Sequence, residues 1–250
     1  MAGYVWLERL WQDVRYGCRM LARNPGFTIV AVLSLAVGIG ANTAVFSFAD
    51  TLLLRPLPVP RPSELLTVGL TDPYRDAVVA SYRDYVDIKD RSKSFEGLIA
   101  FARSTVGFAS DAGAMPKLSI GMMVSGNFFR VIGVKPQLGR DFRPEEDQVP
   151  GRDAVVILGY DFWAQQFGAD PSILGRTVRL NGIDFTVVGV APSGFTGLDQ
   201  YVRFQFYAPL MMWPRLTTTP NVPVFEARDV RSLTIEGRLK PGVPISQART

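Results

Sequence analysis

The longest uncharged stretch of the chain constrains its fold more than any other feature. It runs from Phe27 to Ala49, FTIVAVLSLAVGIGANTAVFSFA, and contains no Asp, Glu, Lys or Arg. At about 1.5 Å per helical residue it extends over roughly 34 Å, enough to cross a hydrocarbon core of about 30 Å. Together with the apolar residues that follow, it predicts a transmembrane helix over residues 27–54.

Two other interpretations of this stretch fit less well. A buried helix of a soluble protein seldom runs so long without a polar face, and Asn24, Pro25 and Gly26 end the preceding segment just where the apolar run begins. A signal peptide cleaved after Ser47 and Ala49 would have an apolar region far longer than the usual length of about 7–15 residues. We therefore expect a retained membrane anchor.

Small side chains recur along one face of the predicted anchor. Ala36, Gly40 and Ala44 follow one another at intervals of four residues, and such residues let helices approach closely in lipid. A single helix has no need of this face. The pattern therefore predicts partner helices as well as contact with membrane lipid.

The first 26 residues predict an amphipathic helix. Leu10, Val14 and Leu21 recur at helical spacing, while Arg15 and Arg19 lie on the other side. Packing against a soluble core would give the same pattern. Because the segment is tethered to a membrane span, we expect an interfacial helix that lies on the bilayer.

Basic residues on the two sides of the span predict its orientation. Within about 15–20 residues of the span, four arginines precede it and only Arg55 and Arg61 follow it. This bias places the N-terminus (residues 1–26) in the cytoplasm. The chain after the anchor would then lie outside the cytoplasmic (inner) membrane, in the periplasm.

Composition excludes several classes of function. The chain has no histidine, and its one cysteine, Cys18, precedes the span, which removes Ser-His and Cys-His dyads and histidine-based metal sites. The net charge of +4 is spread without a basic run, so nucleic acid is not a predicted partner. No GxxxxGK[ST] sequence occurs, so the chain has no P-loop of its own for a nucleotide. We expect no enzyme, cofactor or metal here.

The densest group of carboxylates is Glu145-Glu146-Asp147. Neighbours in sequence do not face one another on a helix, and acidic residues favour the first turn of a helix, so we interpret the group as structural. Ser125-Gly126-Asn127 is interpreted as turn chemistry without a nearby base. No catalytic, cofactor-binding or metal-ligating residue is assigned.

The part of the chain after the anchor predicts an extracytoplasmic α+β domain. Residues 55–64, RPLPVPRPSE, hold four prolines and predict a stiff stalk. Residues 65–250 mix short strands with helices; Ser81 and Asp84 predict a capping box, and Asn181-Gly182 predicts a hairpin turn. The predicted strands are Leu65 to Leu70, Leu98 to Arg103, Thr105 to Ala109, Lys117 to Val124, Ala154 to Leu158, Thr177 to Leu180, Ile183 to Val190, Tyr201 to Ala208 and Leu233 to Leu239. The predicted helices run from Tyr82 to about Ser94, from Phe128 to Ile132, over Tyr160 to Phe167, and from Ile245 onward.

Several phrases taken together resemble one family. LWQDVRYGCRMLARNPGFTIVAVLSLAVGIGANTAVFSFADTLLLRPLPVPRP (residues 10–62) is similar to the N-terminal part of MacB/FtsX-type ABC transporter permeases. The later phrases SYRDYVDIKDRSKSFEGL, VSGNFFRVIGVKPQLGRDF, ILGRTVRLNG and FTVVGVAPSGF resemble the MacB-like periplasmic core domain, which gives the interpretation of residues 65–250. The resemblance implies three further transmembrane helices, a homodimer, a separate cytoplasmic ABC ATPase and a periplasmic partner. It also implies that the subunit transmits motion across the membrane. Because no second apolar span precedes Thr250, we expect a core domain that is incomplete at its C-terminus.

Three hypotheses for function follow. The first is a permease subunit, or its N-terminal fragment, of an ABC-type efflux or mechanotransmission transporter. The second is a stand-alone membrane-tethered sensor or binding module, which needs only the single span. The third is an anchored enzyme, disfavoured because no acid, base and nucleophile converge in the sequence.

Overall fold

The N-terminal unit, residues 1–55, is built from two long helices. A computed structural model describes residues 2–49, 59–72, 77–199, 202–217 and 223–244. Helix α1 is Ala2–Arg23 and helix α2 is Pro25–Ala49. Asn24 separates them as predicted, and its backbone N–H donates to the carbonyl of Leu21 at 3.2 Å while its own carbonyl accepts from the N–H of Thr28 at 3.0 Å. Pro25 opens α2, where its missing N–H costs nothing.

Helix α2 has the length and composition of a membrane span. From Pro25 to Ser47 its mean hydropathy is 2.1, and it is the one such helix in the described part of the chain. Its large apolar side chains are exposed, among them Val37 at 71% and Phe46 at 69%. Gly38 and Gly40 have no atoms near the position of a side chain. The predicted anchor is thus a helix as far as Ala49, and residues 50–54 lie outside the described ranges.

The second unit, residues 56–250, carries the mixed α+β fold. Its strands are β1 (Leu65–Val68), β2 (Leu70–Asp72), β3 (Ala77–Val79), β4 (Phe95–Ala109), β5 (Lys117–Val124), β6 (Leu138–Gly139), β7 (Val155–Leu158), β8 (Thr177–Leu180), β9 (Ile183–Val190), β10 (Phe206–Pro209) and β11 (Thr234–Leu239). Its helices are α3 (Tyr82–Arg91), α4 (Phe128–Ile132), α5 (Tyr160–Phe167) and α6 (Trp213–Leu216), with 3-10 turns at Pro62–Glu64, Pro144–Asp147, Pro171–Ile173 and Leu210–Met212. The predicted fold class is confirmed.

Six strands form a closed ring of hydrogen-bonded neighbours. The order is β4, β5, β10, β7, β9 and β8, and β8 returns to β4 through Phe108↔Leu180 and Ala109↔Arg179. The other half of β4 pairs with β11, which pairs in turn with β1. Strand β4 therefore belongs to the ring at one end and to an extension of β11 and β1 at the other. Closure leaves the ring without a free edge, while β1 and β6 lie at the ends of the strand order.

Both faces of the sheet are covered, which gives two cores. Along β10 the side chains of Phe206 and Ala208 enter the first core and that of Tyr207 enters the second, as the two-residue period of a strand requires. The first core fills the ring and packs against α3 and α5. The second lies under α4, whose Phe128 and Phe129 are fully buried.

Three predicted local signals are confirmed. The hydroxyl of Ser81 accepts from the N–H of Asp84 at 3.1 Å, and the Asp84 carboxylate accepts from the N–H of Ser81 at 3.0 Å, which completes the capping box. Asn181 and Gly182 have φ of 49° and 78°, the two positive values of a type I′ turn. Helix α5 ends at Gly168 with φ of 62°.

Several element boundaries differ from the predictions. Strand β4 runs without a break through Ser104, where two strands were expected, because β11 and β5 pair with successive parts of it. Helix α3 ends at Arg91, before the expected Ser94, and the strand predicted from Tyr201 is confined to β10. The predicted strand over residues 65–70 is divided at Gly69. The helix expected from Ile245 lies outside the described residues.

The buried hydroxyl of Tyr207 yields a test of the second core. Its Oη has no hydrogen-bond partner within the described part of the chain, and the side chain is fully buried among Phe128, Phe129 and Phe195. Replacing Tyr207 with Phe removes an unsatisfied polar atom and keeps the ring, so we expect the free energy of unfolding to stay equal or rise by about 1 kcal/mol.

The matched control is Tyr85→Phe, because the Tyr85 hydroxyl donates to the carbonyl of Leu98 at 3.4 Å. This substitution should lower the melting temperature of the detergent-solubilised chain, measured by thermal unfolding. A clear loss of stability in Tyr207→Phe would mean that its hydroxyl is satisfied after all.

Candidate functional site at the N-terminal clasp

The segment that follows the membrane helix joins the second unit through a buried contact. Val59 is 7% exposed and lies in the second core, and Pro60 packs against Gly133. Arg61 adopts the left-handed conformation with φ of 50°, and the 3-10 turn Pro62–Glu64 leads into β1. The described end of the predicted stalk is therefore fixed to the domain at Val59, which is apolar enough to enter the core, while Pro60, Arg61 and Ser63 are exposed.

Arg238 on β11 holds this segment in place. Its side chain is 4% exposed. Its Nε donates to the carbonyl of Val131 at 2.6 Å and its Nη2 to the carbonyl of Ile132 at 2.9 Å. Its Nη1 donates to the carbonyl of Arg61 at 3.3 Å and lies 3.5 Å from the Glu64 carboxylate. We call these five residues, Arg61, Glu64, Val131, Ile132 and Arg238, the N-terminal clasp.

The clasp satisfies the C-terminal end of α4. The last carbonyls of a helix lack partners within the helix. In α4 the carbonyl of Phe129 accepts from the N–H of Val134 at 3.0 Å and that of Arg130 from the N–H of Gly133 at 3.2 Å. Arg238 supplies donors for the next two. A cation at this end of a helix also meets the negative end of the helix dipole.

The left-handed backbone at Arg61 belongs to the same arrangement. A residue other than glycine seldom adopts a positive φ. Here the conformation brings the Arg61 carbonyl to Arg238 and to the N–H of Glu64, which donates to it at 3.1 Å. The Arg61 side chain forms an exposed ion pair with Glu64 at 3.0 Å. Exposed pairs contribute little, so the carbonyl is the important group of Arg61.

The N-terminal end of α4 is anchored to β4 by two polar side chains. Ser125 Oγ accepts from the N–H of Ala100 at 3.1 Å and donates to Asn127 Oδ1 at 2.8 Å. Asn127 Nδ2 donates to the carbonyl of Leu98 at 2.8 Å. Helix α4 is thus hydrogen-bonded to β4 at its start and to β11 at its end. A displacement of the clasp must move α4 or break buried hydrogen bonds.

Two carboxylates of the acidic group Glu145-Glu146-Asp147 bind different partners. Glu146 accepts from Arg140 through two hydrogen bonds of 2.6 and 2.9 Å. Asp147 Oδ2 accepts from the N–H of Gly126 at 2.7 Å, and burial raises the pKa of Asp147 to about 6. Among the described residues no three Cys, Asp or Glu side chains lie close enough to hold a metal ion. The polar turn Ser125-Gly126-Asn127 supports α4, as described above.

A second surface lies at the other end of β4. The hairpin of β4 and β5 exposes Met115 at 86%, Leu118 at 81% and Ile120 at 44%. Fifteen residues of β4 separate this tip from the clasp end, a length of about 45–50 Å in a strand. Exposed apolar side chains of this kind are typical of surfaces that bind another protein.

Arg238 was not singled out by the sequence. In the predicted strand Leu233 to Leu239, the alternation places Thr234, Glu236 and Arg238 on one face, which would normally be the solvent face. The structure covers that face fully only at Arg238, which is 3% exposed. Thr234 and Glu236 are half-buried, and burial raises the pKa of Glu236 to about 7. The sequence signal that could have identified Arg238 was its charge within a short, mostly apolar strand.

Comparison with protein families gives one match over nearly the whole chain. The model of the MacB-like periplasmic core domain matches residues 28–250. Among curated proteins, the macrolide export ATP-binding/permease protein MacB of Chlorobium phaeobacteroides is 40% identical over 63 residues, which is 25% of this chain and 9% of that protein. The MacB protein of Burkholderia thailandensis is 25% identical over 134 residues, 52% of this chain and 19% of that protein. The chain thus spans less than a fifth of either relative.

Solved structures share the fold. The periplasmic region of MacB from Actinobacillus actinomycetemcomitans has a TM-score of 0.54 at 17% identity, with 74% of this chain and 77% of that chain covered. The extracellular domain of the ABC-type transporter YknZ from Gram-positive bacteria has a TM-score of 0.50 at 15% identity, with coverage of 73% and 85%. At these identities the likeness is one of fold.

The clasp predicts an unequal response to two identical substitutions. Arg238→Met keeps much of the side-chain volume but leaves the buried carbonyls of Val131 and Ile132 without donors, so we expect a loss of about 3 kcal/mol in the free energy of unfolding. Arg61→Met removes the same charge and keeps the Arg61 carbonyl, so we expect a loss below about 1 kcal/mol.

The measurement is thermal unfolding of both variants and the wild type in neutral detergent. Hydrogen exchange of the α4 amides should also be faster in Arg238→Met alone. Equal effects of the two substitutions would contradict the assignment of Arg238 as the centre of the clasp.

Proposed function

The chain belongs to the family of MacB-like periplasmic core domains, and from that premise we propose that it is a permease subunit, or its N-terminal piece, of an ABC-type efflux or mechanotransmission transporter. In this proposal a separate cytoplasmic ATPase drives it, as the resemblance to MacB/FtsX-type permeases implies. The curated relatives are named as macrolide export proteins. For this chain, efflux and coupling to an ATPase are parts of our proposal.

The N-terminal clasp is the observation that supports a coupling role most directly. The segment after the apolar helix is not a loose linker at its far end, because Arg238 binds its backbone while also binding α4. Packed and fully hydrogen-bonded groups transmit a displacement instead of absorbing it. A force on this segment would therefore reach α4, β11 and β4 together.

The alternative proposal is a membrane-tethered sensor or binding module. It uses α2 as an anchor only and needs no ATPase. The two proposals differ in what the small-residue face of α2 does, and Gly40 has open space around it in the described structure.

Partners beyond the ATPase also belong to the proposal. A second copy of the chain and membrane lipid would contact α2, and an extracytoplasmic partner would bind the apolar hairpin tip of Met115, Leu118 and Ile120. Photo-cross-linking from position 118 in intact cells tests the last of these. Without an adduct at that position, the hairpin tip would have no partner.

The orientation of the span gives one prediction. We expect the N-terminus in the cytoplasm and the α+β domain outside, because arginines concentrate before the span. In intact spheroplasts a membrane-impermeant thiol reagent should modify Ser110→Cys at the hairpin tip and leave the native, exposed Cys18 unmodified. The reverse labelling pattern would invert the topology and end the periplasmic assignment.

The face of Ala36, Gly40 and Ala44 gives a second prediction, which separates the two proposals. Gly40→Ile should reduce recovery of a differently tagged copy and of the ATPase, because a branched side chain holds helix backbones apart in lipid. Insertion should be unaffected, since isoleucine favours the bilayer.

Gly38→Ile is the matched control, since two residues rotate the side chain by about 200° around the helix. The measurement is co-purification at equal membrane abundance for the wild type and both variants. Equal recovery from all three would favour the tethered module over the permease subunit.

A further inference from the structure

A cavity of about 200 Å³ opens beside the N-terminal clasp. Three arginines line it, Arg61, Arg130 and Arg238, together with one acidic residue, Glu96. Val131 and two residues without side chains, Gly97 and Gly133, complete its wall. The volume is several times the share of one water molecule in the liquid, about 30 Å³.

The three arginines differ in how much of their charge is neutralised. Arg238 directs its donors to carbonyls and lies 3.5 Å from Glu64, which also pairs with Arg61 at 3.0 Å. One carboxylate therefore serves two guanidinium groups. The clasp carries a net positive charge at the edge of the cavity.

Arg130 is the uncommitted donor. Its guanidinium makes no hydrogen bond or ion pair within the described ranges, and Asp141 influences it only at longer range. Its backbone lies in the last turn of α4, which fixes the point from which the side chain extends. Glu96 is exposed and forms no ion pair with any of the three arginines that line the cavity.

We propose that this cavity binds a phosphate group, either of a phospholipid headgroup or of a soluble phosphate ester. Planar guanidinium groups bind phosphate oxygens with two parallel hydrogen bonds, and several arginines around one cavity match the several acceptors of a phosphate. Arg130 is the principal ligand, Arg61 the second, and Arg238 contributes charge. A lipid headgroup is one candidate source, since only eleven residues lie between Ala49 at the end of the apolar helix and Arg61.

This site goes beyond the proposed coupling role, which needs no ligand. Glu96 opposes the anion in this arrangement, because a carboxylate on the cavity wall repels phosphate. Its removal should therefore strengthen binding. A gain of affinity is informative because a misfolded variant cannot produce it.

The test uses the full chain in neutral detergent and isothermal titration. The probes are inorganic phosphate, glycerol 3-phosphate, dioctanoyl phosphatidylglycerol and, at matched ionic strength, sodium chloride. We expect Arg130→Gln to weaken binding about tenfold and Glu96→Gln to strengthen it severalfold. Arg83→Gln, which removes an exposed arginine of α3 outside the cavity, should leave the affinity unchanged.

The probes identify the source of the phosphate. Binding of the two soluble probes with this pattern of variants supports a soluble phosphate ester, and binding of the phosphatidylglycerol alone supports a lipid headgroup. The proposal is overturned if no probe binds beyond the chloride control. It is equally overturned if Arg130→Gln and Arg83→Gln behave alike, or if Glu96→Gln fails to strengthen binding.

Discussion

A buried guanidinium group can exist in this fold only where the backbone supplies acceptors for it. Arg238 lies under the second core at 3% exposure, and the carbonyls of Arg61, Val131 and Ile132 accept from it. Withdrawing any of these acceptors would leave a donor of a buried cation unsatisfied, which is among the more costly changes in a protein interior. The positions of the N-terminal segment, of α4 and of β11 are therefore linked through a single side chain.

The linkage through Arg238 reaches β4, and β4 belongs to a closed ring of strands, which is rigid. Strand β4 pairs with β11 at the clasp end and with β5 and β8 at the far end, so the same fifteen residues belong to the β11–β1 extension and to the ring. Two cores hold it from both faces. The clasp and the exposed hairpin tip of Met115, Leu118 and Ile120 are consequently the two ends of one continuously paired strand.

Prediction from the sequence succeeded where structure is decided by a few neighbouring residues. The capping box of Ser81 and Asp84, the turn at Asn181-Gly182 and the end of α5 at Gly168 depend on local chemistry alone. The anchor was equally clear, because its length without charge has few alternatives. The unbroken β4 and the buried Arg238 were missed, since both depend on strands and a helix that pack from distant parts of the chain. Alternation along β11 indicated two faces, and only the fold could decide that the second face is buried at Arg238.

The choice of arginine at position 238 also bears on how the clasp could function. Desolvating a charge is costly, and Arg238 offsets that cost by donating to the carbonyls of Val131 and Ile132, which an apolar side chain would leave without donors. An apolar contact tolerates small shifts, whereas the hydrogen bond from Arg238 Nη1 to the Arg61 carbonyl requires the left-handed conformation of Arg61. A small movement of the N-terminal segment would thus break the hydrogen bond that Arg238 donates to the Arg61 carbonyl. Such a contact favours one defined position over a continuous range, so a displaced segment would carry α4 with it, as the proposed coupling role requires.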